Sequence, residues 1–326
     1  MKNIAVIGAT GIVGEKLIEI LDKEGKNYNV SLFATKKSEG RQYALCGQTL
    51  KVEELNDTSA QKNDFDLAYF CAENAVSAKY LPMFTARGTV CVDNSSFFRL
   101  ASAVPLIIPE INRYMLFSHN NIIANPNCTS VIVCLALNAL NLRFGIKRVV
   151  ASTYQAVSGG GKEAVDDYLK KRGEGKTKKL PHKIYDNCIP HIDDFCPNGY
   201  TKEEMKVAEE CAKILCMPAS AFTCTAVRVP LLNCHSVSLN VELASAASTE
   251  EITSLLCMTE GVEVMDDRKS YYPMPLLLDG KRKIGVGRIR RDGSRKNTFN
   301  LWATGDNLLK GAAYNAYQIG EIVLGG

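Results

Sequence analysis

The strongest constraint on the fold lies at the start of the chain. An apolar, strand-like segment at residues 3–7 runs straight into Gly8-Ala9-Thr10-Gly11-Ile12-Val13-Gly14, followed by an amphipathic helical pattern to about Leu21. A strand, a glycine turn and a helix in that order put helix N-terminal amides where a pyrophosphate can meet them, and the glycines allow close backbone approach. The spacing is G-x-x-G-x-x-G rather than G-x-G-x-x-G, and glycines also serve plain tight turns. Its place directly after a first strand makes dinucleotide binding the preferred reading.

Further short apolar segments follow at residues 30–34, 67–71, 89–92 and 122–124, alternating with helical or loop stretches. That alternation predicts an α/β domain with a doubly wound sheet. In a site for NAD the second strand typically ends on an acid that binds the ribose hydroxyls. Here it ends in Thr35-Lys36-Lys37-Ser38 with Arg41 close behind, which suits a 2′-phosphate and favours NADP over NAD. A solvated basic turn is the alternative. The strand at 89–92 leads into Asp93-Asn94-Ser95-Ser96-Phe97-Phe98-Arg99, and strand ends are where ligands gather in such sheets. Arg99 either grips a carboxylate or phosphate with both prongs or is a surface arginine.

Asn125-Pro126-Asn127-Cys128-Thr129-Ser130 joins the strand at 122–124 to an apolar helical run over 131–142. A thiol at a helix start meets unpaired amides and partial positive charge, which favour thiolate. Cys128 is therefore either a nucleophile or one packed free cysteine among twelve. Beyond it the pattern changes to longer strands and larger inserts, predicting a second domain on a mixed or antiparallel sheet. Residues 148–157 read as a strand, with Gln155-Ala156-Val157-Ser158 leading into Gly159-Gly160-Gly161 and a helix from Lys162, a second place where amides could meet an anion or ring. Residues 172–179 read as a basic surface loop.

Thr201-Lys202-Glu203-Glu204-Met205-Lys206 opens a helix to about Ile214, with Thr201 and Glu204 as a capping box. Glu203 and Lys206 then share one face, solvated or aimed at a polar ligand. Strands at 223–229 and 236–243 flank a turn carrying His235, the best placed of four histidines to serve Cys128 as a base, with a structural histidine as the alternative. A strand at 297–304 and a helix through Ile322, capped by Asp306, close the chain.

At 326 residues there is room for two domains with substantial cores, and 46% hydrophobic with 23% charged residues reads as an ordinary soluble protein. A charge of +4, from 39 basic against 35 acidic residues, gives no ground for a nucleic-acid or membrane partner. The start lacks a signal-peptide pattern, and no apolar run approaches a membrane span. Cysteines without repeated spacing or an export signal point to reduced thiols in the cytoplasm. Cys188, His191 and Cys196 form the one metal-like cluster, but without a Cys-x-x-Cys pair, so no metal is expected.

Seven blocks carry a resemblance over essentially the whole length: Gly8 to Gly14, Asp93-Asn94-Ser95-Ser96, Asn125-Pro126-Asn127-Cys128, Gln155-Ala156-Val157-Ser158-Gly159, Gly199-Tyr200-Thr201 through Lys206, Arg228-Val229-Pro230 with His235-Ser236, and Asp306-Asn307-Leu308 with Lys310-Gly311-Ala312-Ala313. In this order they resemble the aspartate-semialdehyde dehydrogenases. The resemblance implies an N-terminal Rossmann-type NADP-binding domain, residues 1–127 completed by a C-terminal helix at 306–326. It also implies an α+β catalytic and dimerisation domain with a mixed sheet, residues 128–305. The small-molecule reaction implied is reversible conversion of L-4-aspartyl phosphate and NADPH to L-aspartate 4-semialdehyde, phosphate and NADP through a cysteine thioester, a step toward lysine, threonine, methionine and isoleucine. A homodimer is the implied assembly, a homotetramer the larger alternative.

By the same resemblance Cys128 is the nucleophile, His235 the acid/base and Gln155 the residue orienting the acyl intermediate. Arg228 grips the substrate α-carboxylate, Glu203 meets its amino group, and Arg99, Asn127 and Lys206 bind phosphate. Gly8, Thr10, Gly11, Ile12, Val13, Lys37, Ser38, Ser158, Gly159 and Asn307 fall where the family meets NADP. The chain departs from the pattern at Thr129-Ser130, at Ser236-Val237-Ser238, at Thr35-Lys36-Lys37-Ser38, which carries lysine where arginine is common, and at Cys234, which stands where glycine is common and implies a second thiol near the site. A reductase of another acyl phosphate such as N-acetyl-glutamyl phosphate, or a non-catalytic binding paralogue, are the rival readings. Glu203 argues against the first, because an acetylated amine needs no anion. Joint retention of Cys128, Gln155, Arg228 and His235 argues against the second.

Overall fold

A computed structural model describes residues 1–62, 64–170, 177–266 and 270–325. The basic loop expected at 172–179 lies outside the described residues as far as position 176. The chain forms two compact units, residues 1–126 with 312–326, and residues 127–311.

The first unit holds seven strands: β1 (Lys2–Ile7), β2 (Tyr28–Ala34), β3 (Gln42–Leu45), β4 (Gln48–Glu54), β5 (Leu67–Phe70), β6 (Val90–Asp93) and β7 (Ile122–Ala124). Their order is β3-β4-β2-β1-β5-β6-β7. All pairings are parallel except the β3–β4 hairpin. Without β3, this is the doubly wound nucleotide-binding order, with its reversal beside β1. Ile4, Ala5, Val6 and Ile7 are fully buried, as a central parallel strand covered on both faces requires. Helix α1 (Ile12–Glu24) turns Leu17, Ile18, Ile20 and Leu21 inward and stops at Gly25, whose φ of 62° only glycine adopts freely. Three further helices, α2 (Ser59–Lys62), α3 (Asn74–Thr85) and α4 (Pro109–Asn112), make the connections. The β3–β4 hairpin was not expected. Its residues are mostly polar and exposed, and the turn is made by Cys46 and Gly47, both left-handed at φ 49° and 77°, as in the tight two-residue turns of hairpins.

In the second unit α5 (Cys128–Phe144) is buried almost all round, including every residue from Val131 to Leu137. It lies against a six-stranded sheet built from β8 (Ile146–Gln155), β9 (Phe222–Arg228), β10 (His235–Leu243), β11 (Val262–Val264), β12 (Ile284–Arg291) and β13 (Thr298–Gly305). The order is β11-β12-β13-β10-β8-β9, with β8–β9 and β11–β12 parallel and the other pairs antiparallel. The sheet is thus mixed, as expected. Helices α6 (Lys162–Leu169), α7 (Lys202–Leu215), α8 (Thr249–Cys257) and α9 (Pro275–Leu278) complete the unit, α7 and α8 packing on α5. One consequence of register positions the site. Because β10 runs against β8 and β13, it begins where they end: His235 stands opposite Gly305, Ser236 opposite Tyr154, and Gln155 opposite Arg228.

Residues Leu309–Ala313 wind with π spacing and continue as α10 (Tyr314–Val323), which packs on α1, α4 and β6. Asp306 caps this segment, its Oδ1 accepting the amides of Leu308 and Leu309 at 2.9 Å each. Among the described residues no helix is long and apolar enough to cross a membrane.

Asp167 on α6 organises the chain that follows the undescribed segment. Its buried carboxylate accepts the amides of Lys178, Lys179 and Leu180 and the Lys170 ammonium. Burial alone raises its pKa, but these donors outweigh it and hold the carboxyl well below the usual range. A depressed folded pKa gives stability that is complete above the unfolded value of about 3.9 and is lost as pH falls below it. Asp167→Ala should therefore lower the unfolding free energy by roughly 1–3 kcal/mol near neutrality, from donors left unpaired. Denaturant titrations of the two proteins should converge as the pH is taken below that value.

Candidate active site

Cys128 is the first residue of α5, and Asn127 caps it: its Oδ1 accepts the amides of Thr129 at 2.8 Å and Ser130 at 3.3 Å. The other end of Asn127 is held from α7. Its Nδ2 donates to Glu203, 3.0 Å from Oε1, while its backbone N–H donates to Glu210 Oε2 at 2.6 Å. Glu203 and Glu210 are seven residues apart, hence on one face of α7. Two buried carboxylates thus fix the residue before the cysteine by main chain and side chain together. The expected capping box sets where α7 begins, with Glu204 N–H on Thr201 Oγ1 and Thr201 N–H on Glu204 Oε2. Glu204 also accepts the amide of Ala226, tying α7 to β9.

Glu203 links onward to the sheet. Gln155, the last residue of β8, donates its Nε2 to Glu203 Oε1 at 3.0 Å and accepts from Thr153 Oγ1. The next residue serves two partners: Ala156 donates its N–H to His235 Nδ1 at 3.0 Å, and its carbonyl accepts Arg228 Nη1 at 2.6 Å. Gly159 lies against both of these side chains. A Cβ there would stand 3.0 Å from His235 Nε2 and 3.2 Å from Arg228 Nη1. Gly311 packs as closely on the cysteine, where a Cβ would stand 2.9 Å from Cys128 Cβ. Arg228 is buried, which lowers its pKa, against the countering charges of Glu203 and the Cys128 sulfur. A fixed guanidinium and a helix N-terminus both attract an anionic sulfur.

His235 is fully buried. Burial first, then the Arg228 charge, push its pKa well below the usual value, with the Cys234 carbonyl a smaller opposing influence. The ring is therefore neutral at neutral pH. A backbone N–H can only donate, so Nδ1 carries the lone pair and the ring proton sits on Nε2. Nε2 has no partner among the described residues.

The second thiol expected beside the site points elsewhere. Cys234, at φ 69°, packs its side chain with Met265 and Leu278, and burial raises its pKa. Its N–H donates to Asn307 Oδ1 at 2.9 Å, while Asn307 Nδ2 donates to Ser158 Oγ at 2.9 Å. Asn307 therefore ties together the Ser158 turn and the strand start that carries His235. Lys206 is paired, 2.6 Å from Asp193 Oδ2 and 3.8 Å from Glu203 Oε2. Thr129 Oγ1 and Ser130 Oγ are buried without a hydrogen-bond partner among the described residues. His191 stacks on Phe195 with ring centroids 4.4 Å apart.

The remaining expected residues belong to the first unit. Arg99 is buried, not a surface arginine: Nε donates to the carbonyl of Asn125 at 2.8 Å and Nη2 to that of Asn94 at 2.7 Å. Gly8 has φ 79°, and a Cβ on it would meet the Cys71 carbonyl oxygen at 2.4 Å. A Cβ on Gly14 would meet the Gly8 oxygen at 2.2 Å, so the turn closes only with glycines. Gly11 caps α1 without a side-chain hydrogen bond, and the first helical amides, Ile12 and Val13 among them, have no intrahelical acceptor. Thr10 Oγ1 reaches Ser38 Oγ at 3.2 Å, bringing the turn after β2 to the glycine turn. Lys36 pairs with Glu39 and Glu54, and Arg41 with Glu15, whereas Lys37 is exposed and makes no ion pair among the described residues. An uncapped helix start behind a glycine turn, with a spare lysine and a serine alongside, fits a dinucleotide phosphate.

Fold and residues together define a two-domain dehydrogenase, pairing a dinucleotide-binding sheet with a cysteine-bearing mixed-sheet unit. Residues 3–119 match the family model for the semialdehyde dehydrogenase NAD binding domain, and residues 137–310 that for the semialdehyde dehydrogenase dimerisation domain. The chain is 39% identical over 335 residues to the aspartate-semialdehyde dehydrogenase of Bacillus subtilis, covering 98% of this chain and 96% of that one. It is 42% identical over 329 residues to the Rickettsia conorii enzyme of that name, with coverages of 98% and 96%. A crystal structure of aspartate semialdehyde dehydrogenase II from Vibrio cholerae, complexed with ASA, superposes with a TM-score of 0.94 at 36% identity, covering 99% of this chain and 98% of that one. The chain belongs to the aspartate-semialdehyde dehydrogenase family, oxidoreductases with a nicotinamide-dinucleotide-binding domain.

Sequence reasoning missed Glu210, whose only signal is its seven-residue spacing from Glu203. Glu210→Ala should release the Asn127 amide and lower kcat roughly 10- to 100-fold through misplacement of the cysteine. Glu210→Gln, which keeps an oxygen for that amide, should recover most of the loss in steady-state assays.

Proposed function

We propose that the protein catalyses the reversible, NADP-dependent reductive dephosphorylation of L-4-aspartyl phosphate to L-aspartate 4-semialdehyde through a thioester on Cys128. The observation that carries this reading is the chain of hydrogen bonds from the Cys128 cap to His235 and Arg228: Asn127 to Glu203, Glu203 to Gln155, and the next residue, Ala156, to His235 by its N–H and to Arg228 by its carbonyl. A thiolate attacks the acyl phosphate and phosphate departs. Cysteine suits this better than serine, because it is the stronger nucleophile near neutral pH and a thioester is the more electrophilic product. The bound nicotinamide dinucleotide supplies the hydride that reduces that thioester.

Arg228 pairs with the substrate α-carboxylate, and the Glu203 carboxylate with its amino group, which supports an unacylated amino acid as substrate. Gln155 orients the acyl group, and His235 is the acid/base. Arg99, Asn127 and Lys206 serve the phosphate, whose departure favours charged and hydrogen-bonding partners. For the cofactor, Lys37 and Ser38 meet the 2′-phosphate, Gly8, Thr10, Gly11, Ile12 and Val13 the pyrophosphate, and Ser158, Gly159 and Asn307 supply the remaining contacts. The protein works as a homodimer in the cytoplasm, in the pathway to lysine, threonine, methionine and isoleucine. The dimerisation-domain match and a groove of about 390 Å³ lined by Trp302, Tyr272, Arg288 and Arg290 support self-association through the second unit. Twelve free cysteines support a reducing compartment.

Phosphate-dependent formation of NADPH from aspartate semialdehyde is the direct assay, and folded protein without that activity would sink the proposal. Cys128→Ala should abolish turnover while leaving the fold and NADP binding intact. The Lys37→Ala, Ser38→Ala double variant should raise the KM for NADP roughly tenfold or more, about 1.4 kcal/mol, while barely moving that for NAD. Equal effects on the two cofactors would refute the 2′-phosphate assignment.

A further inference from the structure

We infer that Asp193 is an internal rival of phosphate for the Lys206 ammonium: the two anions exchange this cation during the reaction, and the Asp193 charge sets how readily phosphate is bound and let go. The inference rests on the proposed role of Lys206 at phosphate and adds the group that competes for it.

Lys206 lies one turn beyond Glu203 on α7, and its Nζ stands 2.6 Å from Asp193 Oδ2 against 3.8 Å from Glu203 Oε2. Glu203 is committed to Asn127 and Gln155, whereas Asp193 answers to Lys206 and to the amide of its own neighbour, Asp194, 2.9 Å from its Oδ1. Asp193 has a φ of 69°, in the left-handed region that aspartate and asparagine tolerate better than most residues. The segment that carries it is fastened at both ends. Ile189 exchanges backbone hydrogen bonds with Arg228, at 2.9 and 2.8 Å. At the other end the Cys196 N–H donates to the Tyr200 carbonyl at 2.7 Å, and the Lys202 N–H to the Asp194 carbonyl at 2.8 Å. The Asp194 carboxylate adds an ion pair with Lys202 at 2.6 Å. The segment therefore runs from the strand end bearing Arg228 to the first turn of α7 bearing Glu203, and it sets a carboxylate against Lys206 on the way.

The pair is placed to be exchanged. The Lys206 and Asp193 side chains are 27% and 33% exposed, against 9% for Glu203. Ion pairs in such settings are weak, because water screens them and a long side chain must be held in one geometry. An ammonium has three N–H donors, so Lys206 can take up a phosphoryl oxygen as it leaves the carboxylate, with no step in which it is unpaired. Phosphate also brings the larger charge, about −1.5 to −2 near neutrality for a phosphoryl group. Asp193 stays a charged rival throughout. Burial raises its pKa, but the Lys206 ammonium, the Asp194 amide and the Lys202 charge outweigh that and hold the carboxyl below its usual range. While phosphate holds the ammonium, two like charges face each other across it, which lowers the affinity for phosphate. When the carbon–oxygen bond breaks and phosphate departs with the electron pair, the ammonium returns to Asp193 and the anion is not retained.

Calorimetric titration of inorganic phosphate into the full chain carrying Cys128→Ala reads the affinity without turnover, and the KM for phosphate in the oxidative direction reads it with the cysteine in place. Asp193→Asn keeps the shape, an acceptor for the Asp194 amide and tolerance of the left-handed φ, and removes the charge. It should lower both the dissociation constant and the KM for phosphate about three- to fivefold, the range expected of a screened ion pair, with the KM for aspartate semialdehyde unchanged. Product inhibition by phosphate in the reductive direction should strengthen by the same factor. Asp194→Asn, which frees Lys202 instead, should leave phosphate binding unchanged. Unaltered or weaker phosphate binding in Asp193→Asn overturns the inference, because a carboxylate that only positions Lys206 gives that result. Equal tightening in Asp194→Asn overturns it as well, since net charge alone would then explain the effect. Lys206→Ala tests the reading beneath: it should weaken phosphate binding roughly tenfold or more, and no change there would sink the phosphate role of Lys206 whatever Asp193→Asn does.

Discussion

The second unit is built around one buried carboxylate that has no business being alone. Glu203 is almost inaccessible to solvent, where an unpaired negative charge costs several kcal/mol or forces neutralisation. It is stabilised by Asn127 and Gln155, by Lys206 at longer range and by the field of Arg228. Each of those partners comes from a different element, so satisfying the charge fixes the start of α5, the end of β8 and the end of β9 relative to α7. The packing of α5 against the sheet decides that these elements are neighbours. The carboxylate decides their register at the one end where chemistry is placed.

Much of this was legible one element at a time. The capping box at Thr201, the cysteine at a helix start and the glycine turn after β1 are local patterns, each enforced within a few residues, and they stand where the sequence puts them. What could not be read depends on partners distant in the chain. Asn127 and Asn307 look like turn residues, yet their amides bridge segments up to 149 residues apart. Glu210 sits in a helix full of charged residues, and nothing local separates it from its solvated neighbours. The β3–β4 hairpin escaped because an exposed edge ribbon carries no continuous apolar signal. Cys234 was misjudged because adjacent residues at a strand start point to opposite faces, which puts its thiol in an apolar cluster while His235 turns to the site.

Glycine at 159 and 311 reflects a second constraint, that of space. Both positions border side chains assigned to the chemistry, and in both a methyl group would press on their atoms at 2.9–3.2 Å. The two glycines let peptide chain pass against His235, Arg228 and Cys128 at distances a side chain would forbid. Close backbone approach matters here because backbone amides are fixed donors, needing no reorganisation when negative charge develops on a substrate oxygen.

The distribution of charge follows from the same economy of movement. Two buried carboxylates, Glu203 and Glu210, stand behind the cysteine, a poor setting for an anionic sulfur unless something offsets them. Both are drawn into hydrogen bonds with Asn127, on the side of the cap away from the helix amides, while Arg228 and the start of α5 present positive potential to the sulfur.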